Sequence, residues 1–173
     1  MYYNQPLELG GYVMNVEYSI EDYHLETIEY IDLGKLSFVV DIPEDLLSNE
    51  EIKDIAFKIK SDLEYLLLST TLTSHVRVNK LGYRYGCLEI IVNLVWVMIG
   101  GMTIKSIKHF LIDYPKIREG VLTLARDIKL LKIKIKGETK KKGTFVRDNL
   151  KSKEQIMKEV DQYNNKQDPL NKI

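Results

Sequence analysis

Apolar and polar positions alternate from Tyr12 to Ile20, with Tyr12, Met14, Val16, Tyr18 and Ile20 on one side and Asn15, Glu17 and Ser19 on the other. That period of two predicts a half-buried strand. His24 to Leu33 reads as its partner, with Leu25, Thr27, Ile31 and Leu33 on one face. Alternation resumes at Leu36, Phe38, Val40 and Ile42, so Gly34-Lys35 is expected to turn a hairpin and Pro43 to close the strand. Ser48 and Glu51 have the spacing of a capping box, in which each side chain satisfies a free backbone N–H of the other. Ile52, Ile55, Ala56, Ile59, Leu63 and Leu66 follow at helical spacing, predicting a helix to about Leu68. Leu72 to Tyr85 reads as a strand pair with Val76 and Val78 inward.

A run without charge then begins. Fifteen residues, Ile90 to Ile104, separate Glu89 from Lys105, and counted from Leu88, with Glu89 at the edge, the stretch has 17. A bilayer span takes about 20 mainly apolar residues, while runs of about 10–14 are more often core or interfacial segments. The length therefore sits between the two. As a membrane helix, its interfacial residues would be Tyr83, Tyr85 and Tyr114, with Lys105 and Lys108 snorkelling to the border. Gly100 and Gly101 would admit a close helix neighbour, and Asn93 would hydrogen-bond to a sister copy. For a soluble core helix speak the short run, Glu89 and Asn93, which are poorly placed for a bilayer, and Trp96 in the middle of the run instead of at an edge.

Ile107, Phe110, Leu111, Tyr114, Ile117, Val121, Leu124, Ile128 and Leu131 form a helical stripe, with Pro115 as the expected kink or break. Lys116, Arg118, Glu119, Arg126 and Lys129 lie opposite. Such a basic amphipathic helix suits an anionic membrane surface or simply a core. Ile133 and Ile135 alternate with Lys132, Lys134 and Lys136, as in an edge strand defended by charge. Lys140, Lys141, Lys142 and Gly143 read as a flexible break, Ser152 to Tyr163 as a short helix, and the last ten residues as disordered. The expected fold is therefore α+β: a small antiparallel sheet with one long packed helix, followed by a hydrophobic helix able to span a membrane and a basic amphipathic helix. Three segments follow: an acidic α+β domain over 1–86, the two helices over 87–131, and a Lys-rich strand or linker with a short helix and tail over 132–173.

Charge sharpens this division. The 173-residue chain is formally neutral, yet residues 1–72 carry 15 Asp/Glu against 4 Lys, and residues 73–173 carry 21 Lys/Arg against 10 Asp/Glu. Such asymmetry points to an anionic partner for the basic half, or to docking between the halves. The six lysines Lys132, Lys134, Lys136, Lys140, Lys141 and Lys142 make the basic patch. One cysteine, Cys87, rules out an intramolecular disulfide framework. The N-terminus has no basic segment followed by an apolar one, so a secretory signal is not expected.

Candidate chemistry is sparse. Asp22, His24 and Glu26 share a strand face, but a solvated strand end explains them better than a metal does. His75 and His109 have no spaced partners, and Gly82 to Gly86 has neither the P-loop lysine nor dinucleotide spacing. Cys87 lies among apolar neighbours without a nucleophile motif. No catalytic residue, metal or cofactor is assigned, and the chain is not read as an enzyme. Between Lys129 and Arg147 the sole aromatic is Phe145, which is thin for a base-stacking platform, so nucleic acid ranks below anionic lipid as a partner.

Tyr85-Gly86-Cys87-Leu88-Glu89-Ile90-Ile91-Val92 resembles the Gly-Ser-Leu-Glu-Ile lead-in to a hydrophobic helix in small bacterial conflict and antiphage-defence proteins, with Cys87 in place of the serine. The resemblance spans residues 76–126 and transfers no residue role. It implies an effector that injures its own cell's membrane on a signal from a sensor protein. The resulting expectation is a non-enzymatic, membrane-directed homo-oligomer, channel-like, at the bacterial inner membrane or in the cytoplasm until triggered. The alternative is a soluble α+β interaction or adaptor module with a buried central helix.

Overall fold

A computed structural model describes residues 16–17, 28–43, 46–84, 88–99 and 103–167. Their order is β1 (Val16–Glu17), β2 (Ile28–Val40), α1 (Asn49–Leu68), β3 (Val76–Arg84), β4 (Glu89–Ile99), α2 (Ile104–Asp127), β5 (Leu130–Ile135), β6 (Glu138–Leu150) and α3 (Lys153–Gln167). The strands form one antiparallel sheet in the order β1-β3-β4-β2-β6-β5.

From Ile90 to Ile99 the uncharged run is a strand rather than a helix. β4 pairs with β2 along its whole length and with β3 from Glu89 to Trp96. Six of its eleven residues are β-branched, a composition that suits the pleated sheet and restricts side-chain freedom in a helix. Leu88, Ile90, Val92, Leu94 and Trp96 are buried in the helix-covered core, and Val95, on the opposite face, is buried as well. Burial on both faces removes the alternation by which a strand is usually recognised. No described helix is long and apolar enough to cross a membrane.

β2 replaces the expected hairpin. Gly34 does not turn the chain; it sits in a register shift between Asp32 and Gly34 within one 13-residue strand. Its φ of +97° is left-handed, and a Cβ there would lie 2.8 Å from the Asn149 carbonyl oxygen and 2.9 Å from the Lys151 amide nitrogen. Glycine is required by both conformation and space. β3 has its own shift between Val78 and Lys80, so both neighbours of β4 are irregular beside Asn93 and Leu94. The expected pair over Leu72–Tyr85 is this single strand.

α1 begins at the capping box of Ser48 and Glu51 and buries Ile52, Ile55, Ala56, Ile59, Leu63 and Leu67. α2 buries Phe110, Tyr114, Ile117, Val121, Leu122 and Ala125 and continues through Pro115. Pro115 is exposed, while Tyr114 and Ile117 beside it are anchored in the core. Packing on both sides of the proline outweighs the lost hydrogen bond to the Leu111 carbonyl. Trp96 and Phe110 have ring centroids 4.5 Å apart, joining α2 to β4. Lys140 to Gly143 do not break the chain, since they pair with β5, and β6 then exchanges partners and pairs with β2 from Thr144 onward.

Strands from all three sequence segments thus share one sheet and one hydrophobic core. Of the expected Tyr12–Ile20 strand, only Val16 and Glu17 are among the described residues. Asp22, His24, Glu26, Tyr85, Gly86, Cys87, Gly100, Gly101 and residues 168–173 lie outside them.

Candidate functional site: a lysine-rich ribbon

β5 and the first half of β6 form a two-stranded ribbon at the sheet edge. Its turn is Lys136-Gly137, with φ of 49° and 82°. Positive φ at both positions marks the hairpin turn whose twist matches that of the strands. The Lys136 N–H donates to Glu51 Oε1 at 2.6 Å, fixing the turn to the first turn of α1. Leu131, Ile133 and Ile135 point into the core, which leaves Leu130, Lys132 and Lys134 outward.

The register places like charges together. Lys132 pairs with Lys141 across the ladder, Leu130 with Gly143, and Lys134 with Thr139. Directly opposed like charges destabilise a strand pair. Compensation is slight: Lys140 lies 3.7 Å from Glu138, and Lys132, Lys134, Lys141 and Lys142 make no ion pair among the described residues. The outward face of β6 continues through Phe145 to Arg147. Leu130 is 66% exposed and Phe145 60% exposed, so two large apolar groups flank Gly143 on the lysine face. Arg147 is 3.6 Å from the nearly buried carboxylate of Glu89, which Arg84 approaches from β3 at 3.7 Å.

The residues assigned to a membrane helix have other surroundings. Asn93 donates from Nδ2 to Asp32 Oδ1 at 2.9 Å and to the Gly34 carbonyl at 3.1 Å, so it braces the irregular part of the sheet. Tyr83 is buried in β3. Tyr114 is buried and its hydroxyl donates to the Lys151 carbonyl at 2.7 Å. Burial pushes its pKa up to about 12. Lys105 and Lys108 are exposed in the first turns of α2.

A second polar cluster escaped sequence reasoning. Lys151 Nζ donates to Asp32 Oδ2 at 2.7 Å and to Glu159 at 2.8 Å, connecting β2 to α3. Burial alone would raise the Asp32 pKa, but hydrogen bonds from Lys151, Asn93 and the Gly34 N–H hold it below the usual value. Burial would likewise lower Lys151, and its bonds to Asp32 and Glu159 raise it instead. These groups satisfy one another, so the cluster reads as a structural brace. Asp32 and Lys151 are 119 residues apart, and no local pattern joins them.

Among the described residues, no three His, Cys, Asp or Glu side chains gather as a metal site. His75 lies beside Trp96, with ring centroids 6.0 Å apart, and His109 is exposed on α2. Comparison with known protein families, curated proteins and solved structures finds no match.

Proposed function

We propose that the chain is a non-catalytic module that docks on an anionic lipid surface through the β5–β6 ribbon. The supporting observation is Lys132 facing Lys141, without acidic partners, on the same face as exposed Leu130 and Phe145. Each cation near an anionic leaflet contributes about 1 kcal/mol, so the unpaired Lys132, Lys134 and Lys141 together supply up to about 3 kcal/mol, more than about a hundredfold in affinity. Leu130 and Phe145 add shallow apolar insertion between headgroups. This keeps the membrane-directed reading in a peripheral form. The channel-like form loses its helix, because the segment that would line the channel is the middle of the sheet.

A second reading keeps the adaptor function. β5 is the last strand of the sheet and pairs with β6 alone among the described strands. An acidic extended segment would add beside it, with main-chain bonds for affinity and lysines for selection.

Flotation with vesicles of phosphatidylcholine, alone or with phosphatidylserine, tests the first reading. The protein is expected to float only with phosphatidylserine, less so in high salt, and the Lys132→Glu/Lys141→Glu variant is expected to stay behind. Absence of flotation with either vesicle overturns the lipid reading. Capture by polyglutamate in its place supports the adaptor.

A further inference from the structure

We infer that α2 is also the contact face of a two-fold symmetric dimer of this chain, independently of what the ribbon binds. Lys108, Ile112, Lys116, Glu119, Thr123 and Asp127 recur at helical spacing and are all exposed. They form a face separate from the Phe110, Tyr114, Ile117 and Val121 stripe that enters the core. Ile112 is 67% exposed, an apolar group without cover on a charged helix face. Beside it runs an open groove of about 700 Å³ between α2 and the loop after α1, lined by Leu72, Pro115, Gly120 and Leu124 together with Lys116 and Glu119.

The charge order identifies the occupant. A two-fold axis across the middle of α2 lays two copies of the helix antiparallel, and each residue then meets a partner of fixed number. Lys116 falls opposite Glu119 of the other copy, Lys108 opposite Asp127, Pro115 opposite Gly120, and Ile112 opposite Thr123. Lys108, Lys116, Glu119 and Asp127 thus each meet an opposite charge, twice by symmetry, while exposed Arg126 on the same face falls opposite His109. Among the described residues, none of Lys108, Lys116, Glu119 and Asp127 has an ion-pair partner within its own chain. Gly120 packs close against Leu72 and Thr73 of its own chain and adds no side chain to the groove, and Thr123 is small. Ile112 of each copy therefore reaches the other's groove beside Leu124 and Leu72. The self-complementarity is specific to the antiparallel arrangement, because a parallel pair in register sets Lys116 against Lys116.

Sedimentation velocity over a range of protein concentrations tests this. The wild type is expected to show a reversible monomer–dimer equilibrium. Lys116→Glu and Glu119→Lys each place like charges at both symmetric contacts and are expected to weaken the dimer at least about tenfold. An equal mixture of the two variants is expected to dimerise again, because each then offers the charge that the other lacks. Both positions are exposed, so unchanged circular dichroism and thermal midpoints are expected to accompany the loss. A wild type that stays monomeric throughout overturns the inference, and so do single variants that dimerise normally or a mixture that stays monomeric. Lys132→Glu is expected to leave the equilibrium unchanged, which separates this face from the ribbon.

Discussion

Glu51 accepts the backbone N–H of Lys136 through Oε1 at 2.6 Å while Oε2 accepts the N–H of Ser48 at 2.8 Å. One carboxylate thus caps α1 and holds the turn of a ribbon 85 residues further along the chain. Ser48→Ala removes the cap alone and is expected to cost about 1 kcal/mol. Glu51→Ala removes cap and anchor together, so its urea midpoint is expected to fall below that of Ser48→Ala. The Ser48 and Lys136 amides hold the Glu51 pKa below its ordinary value of 4.5. A carboxylate with a lowered folded pKa stabilises above its unfolded value and loses that contribution as pH falls through the folded one. The deficit of Glu51→Ala is therefore expected to shrink in acid, below about pH 4.5. A deficit independent of pH contradicts the carboxylate's role.

Gly34→Ala forces a Cβ against the Asn149 carbonyl and the Lys151 amide at a φ of +97°. Strain of this kind costs about 1–3 kcal/mol before the clash with backbone is added. Thermal unfolding is expected to show a loss of about 3 kcal/mol, far above that of a half-buried strand glycine such as Gly143, where a Cβ meets nothing within 4 Å.

Asn93→Leu separates the strand from the membrane helix that hydropathy suggests. In the sheet it removes two donated hydrogen bonds, one to the Asp32 carboxylate. A loss of about 2 kcal/mol in chemical denaturation is expected, because a charged acceptor is left short of a donor. In a lipid-exposed helix the same change would be neutral or stabilising.

Much of the architecture was legible. The Ser48–Glu51 box, the α2 stripe and the Ile133/Ile135 alternation each appear at the expected place, because each is a local pattern with one geometric solution. The central run was misread because a short apolar stretch fits a buried strand and a buried helix equally well by periodicity. Its β-branched composition is the signal that favours a strand over a helix. Gly34 was read as a turn because left-handed glycine serves turns and bulges alike. The Lys132–Lys141 pair follows from the two-residue Lys136-Gly137 turn, which is visible only once Lys140 to Gly143 are taken as strand. The Asp32–Lys151 brace depends on tertiary pairing and leaves no mark in spacing.

Lys132→Glu sets stability against binding. An opposite charge across from Lys141 is expected to stabilise the ribbon by about 0.5 kcal/mol. The same change alters the ribbon charge by two and is expected to weaken binding to anionic vesicles by about thirtyfold. Thermal unfolding and vesicle sedimentation of one preparation measure both. A variant less stable than the wild type would show that the lysines serve the fold.

The most direct test is a fluorescence titration of Phe145→Trp in a Trp96→Phe background, which puts the sole tryptophan on the lysine face. With vesicles containing phosphatidylserine, emission is expected to shift to shorter wavelength as the indole enters the headgroup region, and with phosphatidylcholine alone it is expected to stay unchanged. Emission that is unmoved by anionic vesicles to which the protein nevertheless binds would contradict the ribbon as the docking face.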